Sequence, residues 1–313
     1  MDRDEKYLIR IMFQNKIYSS DAQEFENLFT KIMQYRYNDF RAVKPQGSLG
    51  DMKNDGYLID DGAFYQVYGP EDISKSIDTA INKLEVDSEG LINKWNKANI
   101  NKFNYVVNDK YKGANVSVHQ KLFKLDTILQ KIANNNNIGT GLIVAKDLEN
   151  MLFELDEDSI IAIVGLPPRT NAIYDVDYEA LNEVVNHILN LPAKDYTDDL
   201  YVPDFDEKIK FNGLSRIIAR RLDSAAINYG DVEVYFENQG DFLRDDIKNR
   251  FKQLYNESKN KISNEEENFA DRRYMYILEK SMPRENKNSI QQAVECLLAF
   301  YFESCDIFEA PPN

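Results

Sequence analysis

Cysteine and histidine are nearly missing from this 313-residue sequence, with two of each. Cys296 and Cys305 share one C-terminal segment of helical pattern, where a spacing of nine does not set two side chains together. Neither a disulfide nor a thiolate metal site is therefore expected. His119 and His187 lie far apart in the sequence, so zinc centres and serine or cysteine triads have almost no raw material. Any hydrolytic chemistry must rest on carboxylates. No stretch approaches the roughly 18 to 20 apolar residues of a membrane helix. The opening MDRDEKYLIR carries charge where a leader peptide is apolar, so a cytoplasmic protein without membrane contact is expected.

Positive charge is also scarce, at 38 Lys and Arg against 53 Asp and Glu, for a net charge of −15. That excludes a surface that binds nucleic acid over its whole extent, because such binding depends on cations that neutralise phosphates. The imbalance is uneven: residues 1–165 hold 20 basic and 25 acidic side chains, and residues 166–313 hold 18 and 28. If nucleic acid is touched, the first half is the better candidate. Hydrophobic residues make up 43% and aromatic residues 12%, enough for two cores in a chain longer than the ~250 residues at which single domains stop growing.

Phe25, Leu28, Phe29, Ile32 and Met33 recur at three and four, which predicts an amphipathic helix over 20–37 capped by Ser20 or Asp21. Gly56–Ile59 and Ala63–Tyr68 read as two strands joined at Asp60-Asp61-Gly62, a hairpin signal. Helix is then expected over Ile73–Leu84 and on to Asn96, a strand at Phe103–Val107, a long helix at Val118–Ala133, and strands at Gly141–Ala145 and Ile160–Gly165. Asn134–Asn137 reads as a surface loop. This alternation defines an α/β domain over 1–165, a mixed sheet flanked by helices. Prolines at 167, 168, 192 and 203 punctuate a connecting segment, 166–205, that holds one short helix, Tyr178–Leu189. Beyond it, 206–313 reads as mainly helical, with helices at Leu214–Asn228, Phe242–Lys259 and Ile290–Phe308, and only Val232–Phe236 strand-like. No internal repeat is evident.

The chemically informative segment is Gly47–Asp72. It sets Asp51 and Asp55 just ahead of the first hairpin strand and Gln66 inside the second, with Gln66 and Tyr68 on one face because strand side chains alternate. Oxygens from adjacent strands can converge on one divalent cation, and Mg²⁺ (or Mn²⁺) favours such hard ligands. The plainer reading makes Asp51 and Asp55 turn formers and Gln66 a hydrogen-bonded strand residue. A phosphate-cradling loop is disfavoured because Gly-x-Gly spacing is lacking, and a calcium loop because Lys53 and Gly62 stand where ligands belong.

Phe25-Glu26, Gly50-Asp51 through Asp55-Gly56, and Tyr65-Gln66-Val67-Tyr68 together resemble the PD-(D/E)XK nucleases, and within them the Mrr-like restriction endonucleases, over about the first 110 residues. The resemblance implies that Asp55 and Gln66 hold the metal and that Glu26 and Asp51 support it. It also implies DNA phosphodiester hydrolysis. Tyr68 stands where those enzymes carry a lysine, and Lys53 is the nearby cation that could take its place. Lys31, Arg36, Arg41 and Lys44 run basic ahead of the motif and could meet DNA phosphates, or simply face solvent.

A second resemblance reaches further along the chain. Tyr65–Glu71, Lys210-Phe-Asn-Gly-Leu-Ser215 and Tyr301–Glu309 are similar to strings of effector subunits of ABC three-component systems. It implies an effector joined to a complex-assembly domain, partnered by an ABC-type ATPase and a small middle protein, in defence against phage and invading DNA. The alternative from the residues is a catalytically inactive adaptor that keeps the nuclease fold and binds DNA or protein. Arg216, Arg220, Arg221 and Glu265–Glu267 read as exposed charge. Ala293, Leu297, Phe300, Tyr301 and Phe308 read as core, with docking of a partner protein as the other reading.

Overall fold

The computed structural model describes residues 1–44, 54–71, 86–87, 90–91, 93–95, 100–113, 116–132, 138–168, 176–192, 204–239, 241–283, 287–304 and 307–311. The expected helix at Ile73–Leu84 and the loop at Asn134–Asn137 lie outside them. The chain divides into two compact units, Lys16–Gly165 and a second made of Met1–Asn15 with Leu166–Asn313. The division falls inside the first helix, α1 (Arg3–Ser19).

In the Lys16–Gly165 unit, α2 (Ala22–Arg36) is followed by β1 (Phe40–Ala42), β2 (Gly56–Leu58), β3 (Ala63–Tyr68), β4 (Lys102–Val107), α3 (Val116–Ile132), β5 (Gly139–Ile143), α4 (Ala145–Phe153) and α5 (Glu157–Val164). The strands form one mixed sheet in the order β1-β2-β3-β4-β5. The first three pair antiparallel, and β3, β4 and β5 pair parallel. Alternation along β3 splits its side chains between two covers. Tyr65 meets Phe29 of α2 and Phe40 of β1, so α2 with its buried Phe25, Leu28, Phe29, Ile32 and Met33 lies over that face. Phe64 points the other way, into a core with Phe103, Tyr105 and Val107 of β4, Val118 and Leu122 of α3, and Leu91.

The expected strand at Ile160–Gly165 is instead helix α5. A short apolar run does not by itself distinguish buried strand from buried helix. Here the Asp156 carboxylate accepts the Ser159 N–H at 2.9 Å as an N-cap, and Gly165 ends the helix at φ 107°.

The other unit is helical: residues 3–15 of α1, α6 (Tyr178–Leu189), α7 (Phe205–Asn212), α8 (Arg216–Ala226), α9 (Tyr229–Glu237), α10 (Asp241–Lys261), α11 (Phe269–Ser281) and α12 (Asn288–Glu303). The short helix of the expected connector, α6, packs inside this core through Ala180, Leu181, Val184, Val185 and Ile188, and residues 1–15 join it through Leu8 and Ile11. The strand-like Val232–Phe236 lies within helix α9. Its buried residues Val232, Tyr235 and Phe236 fall at helical spacing, while Val234 is exposed. Ala293, Leu297, Phe300, Tyr301 and Phe308 are core residues. Arg221, expected at the surface, is buried and ion-paired with buried Glu295, so it faces the core side of α8 beside Leu222 and Ala225. Arg216 and Arg220 are exposed.

Two of the strings that carry the second resemblance are tied together here. The Asn212 side chain donates to the Glu309 carbonyl at 2.8 Å and accepts the Glu309 N–H at 3.0 Å. Buried Lys208 donates to the Phe302 carbonyl at 2.6 Å, and Gly213 closes α7 at φ 70°.

Candidate functional site

Asp55 sits one residue ahead of β2, held between the neighbouring strands. Its N–H donates to the Tyr65 carbonyl at 2.8 Å, and its carbonyl accepts the Val43 N–H at 3.0 Å. Its carboxylate Oδ2 accepts the Val67 N–H at 2.6 Å. That short contact fixes the side chain against β3 at the position of Gln66. Charge-assisted bonds of this length are among the stronger ones in proteins.

Gln66 lies in the middle of β3, opposite Tyr105 of β4 in the parallel register. Directly opposed residues share a face, so Gln66 points with Phe64, Tyr68 and Tyr105 and away from α2. It is 2% exposed, and its Oε1 has no hydrogen-bond partner among the described residues. A buried amide oxygen left unpaired costs about 1–3 kcal/mol. Tyr68 stacks on Tyr105 with ring centroids 6.4 Å apart and planes 17° from parallel. Burial, and then Tyr68, Asp87 and Asp55, push the Tyr105 phenol well above its ordinary pKa.

Among the candidates, the structure brings Asp55, Gln66 and Tyr68 to one side of the sheet. Glu26 belongs to α2, which covers the opposite side, and is half-buried. Asp51 and Lys53 lie outside the described residues. Lys31 donates to the Ala162 carbonyl, and Arg36 pairs with Glu154 and donates to the Tyr37 hydroxyl at 2.9 Å, so both are engaged within the unit. Arg41 is exposed and donates to the Asn38 and Phe40 carbonyls at 2.9 and 3.0 Å, and Lys44 is exposed. Asp87 is the acidic residue that motif reading passed over. Its one sequence signal is its place four residues before Leu91, on the apolar face of a helical pattern.

The residues present match a hard divalent cation in chemical type, since a carboxylate and an amide oxygen lie on one side of the sheet. Among the described residues no group of three or more His, Cys, Asp or Glu side chains is placed to hold a metal ion. Among the same residues no helix is long and apolar enough to cross a membrane.

The chain thus comprises a mixed-sheet α/β unit, with Asp55 and Gln66 on one side of its sheet, and an all-helical unit. Residues 179–309, within the helical unit, match the family model described as C-terminal domain 10 of the ABC-three component (ABC-3C) systems, which supports membership of such a system. No curated protein and no solved structure matches the chain.

Proposed function

We propose that the chain is the effector subunit of a conflict system directed at phage or other invading DNA. Its α/β unit is a nuclease-type domain that acts on DNA phosphodiesters with a divalent cation, Mg²⁺ or Mn²⁺. Its helical unit assembles with an ABC-type ATPase and a small middle protein, in the cytoplasm. The match of the helical unit to an ABC-3C C-terminal domain supports the setting. The single observation that carries the chemistry is the buried Gln66 Oε1, without a hydrogen-bond partner among the described residues, on the same side of the sheet as the Asp55 carboxylate.

In this reading Asp55 and Gln66 hold the cation, which when bound supplies a Lewis acid and a water of lowered pKa. The Val67 N–H fixes the Asp55 carboxylate, so the ligand is oriented before the cation arrives. Tyr68 offers a hydroxyl hydrogen bond to a phosphate oxygen where a lysine would offer full charge. Exposed Arg41 and Lys44 are the DNA contacts of the basic run, because Lys31 and Arg36 are engaged internally. Asp51 is assigned to support the cation and Lys53, with Tyr68, to face the scissile phosphate; Glu26, on the helix over the opposite side of the sheet, has no part in it.

Tyr68 also favours a second reading, a catalytically inactive module that keeps the fold and binds DNA or protein as an adaptor. Plasmid nicking in Mg²⁺ or Mn²⁺ separates the two. The nuclease reading expects nicking that disappears in Asp55→Ala and Gln66→Ala. It fails if no nicking occurs with the assembled complex, or if nicking survives both substitutions together.

A further inference from the structure

In the helical unit, exposed apolar side chains gather around α9. Val234 is 48% exposed, and Ile227, in the turn ahead of the helix, is 77% exposed. Ile227 keeps a right-handed helical backbone at φ −54° and ψ −31°. With Asp231 and Val234 it follows the spacing of four and three that sets residues on one helix face. Val232, Tyr235 and Phe236 hold the buried side of α9. Tyr178, at the start of α6, borders the exposed face. Its hydroxyl donates to the Asp231 carbonyl at 3.5 Å, its ring stacks on Tyr235 with centroids 6.2 Å apart, and it is 44% exposed. Single exposed apolar residues are ordinary on a protein surface, whereas an apolar patch rimmed by polar residues marks an interaction site. The rim here carries one sign. Residues 170–193, which include α6, hold four acidic residues and no Lys or Arg, and residues 222–243, which include α9, hold five and none. Glu179, Asp231 and Glu237 of these stretches are exposed.

We infer that this face of α9, with Tyr178, docks a partner subunit that presents Lys or Arg around an apolar patch. The inference rests on the proposed assembly of the helical unit with other proteins, and it names the surface and the chemistry that hold them. Charge selects the occupant. Nucleic acid and an anionic membrane share the sign of the rim and are repelled, and a second copy of the chain would set the same acidic residues against each other across a twofold contact. A cationic protein surface is attracted by the rim and buries Ile227, Val234 and Tyr178 at the centre, the apolar core and polar rim of protein interfaces. Helix α9 lies within residues 179–309, the part of the chain that matches the ABC-3C C-terminal domain.

The test is binding of the full chain to the purified ATPase and middle protein of its own system, by interferometry at low and high salt. It compares wild type with two double variants, Ile227→Ser with Val234→Ser, and Asp231→Lys with Glu237→Lys. Each double variant is expected to weaken binding at least about tenfold, the first by removing the apolar centre and the second by reversing the rim. Both should melt with wild type, because the substituted side chains are exposed. High salt should weaken wild-type binding, as it screens the rim. If either variant binds as tightly as wild type, or the lysines strengthen binding, the inference is overturned and the assembly reading stands. If wild type does not bind the other subunits, both are overturned. If the variants change only self-association of the isolated chain, read by light scattering, a second copy occupies the face and the inference is overturned. Melting of both variants well below wild type would assign the face to the fold and overturn it as well.

Discussion

The Tyr7 hydroxyl donates to Oδ2 of Asp271 at 2.6 Å, across 264 residues of sequence. Asp271 also accepts the Ser215 N–H at 2.8 Å, and burial raises its carboxyl above the ordinary value. Nearby, Asn15 and Arg272 exchange two hydrogen bonds of 3.0 Å each. The first fifteen residues are thus a structural part of the helical unit. Tyr7→Phe should cost about 1–3 kcal/mol by leaving a buried acceptor short of its donor. Leu8→Ala should cost about 2–5 kcal/mol through lost burial and a cavity. Urea midpoints with unchanged slope check both, and wild-type midpoints would refute the assignment.

Arg221 and Glu295 form an ion pair that is almost wholly buried, and Arg221 also donates to the Pro168 carbonyl at 3.3 Å. Burial outweighs the arginine and holds the Glu295 carboxyl above its usual value. Arg221→Ala should therefore destabilise the chain by about 3–5 kcal/mol, by stranding a buried carboxylate. Arg221→Met combined with Glu295→Leu should recover most of that loss. A double variant as unstable as the single one would show that the pair acts through something other than charge compensation.

Gly69, just past β3, donates no side chain and so lets α2 approach closely. Its carbonyl accepts the Ala22 N–H at 2.6 Å, and a Cβ placed there would lie 2.8 Å from Phe25 Cβ and 3.0 Å from Ala22 N. Neither neighbour is the flexible end of a side chain, so Gly69→Ala should lower stability by about 1–3 kcal/mol. Thermal melting of the variant reads this directly, and an unchanged midpoint would contradict the packing.

Tyr68→Lys introduces a permanent cation on the face that holds Asp55 and Asp87. In the nuclease reading it should raise Mg²⁺-dependent plasmid nicking at least about tenfold, since a charged donor stabilises a developing phosphate charge better than a phenol. Gel quantitation of nicked plasmid measures the change. Equal or lower nicking would mean that the tyrosine is not standing in for the lysine.

Burial, with Glu295 adding to it, pushes the Cys296 thiol up to about 12. At pH 8 only about one thiol in ten thousand is then thiolate, the reactive form. In a Cys305→Ser background, labelling of native protein by a thiol reagent should be negligible until denaturant unfolds the helical unit. Rapid labelling of folded chain would contradict this burial.

Local periodicity alone set out much of the architecture. The spacing of Phe25, Leu28, Phe29, Ile32 and Met33 gave α2, and Asp60-Asp61-Gly62 gave the hairpin, because both signals depend on a few adjacent residues. The same alternation put Gln66 and Tyr68 on one face before any fold was known. Sequence patterns could not separate helix from strand at Ile160–Gly165 or Val232–Phe236, where a short apolar run fits both and a cap or tertiary partner decides. Only the tertiary structure placed Asp87 on the Gln66 side and α2, with Glu26, on the other. It also buried Arg221 and drew residues 1–15 into a core made by residues more than 150 positions away. These are long-range pairings, and no local pattern encodes them: a charged side chain reads as solvated until its partner across the fold is known.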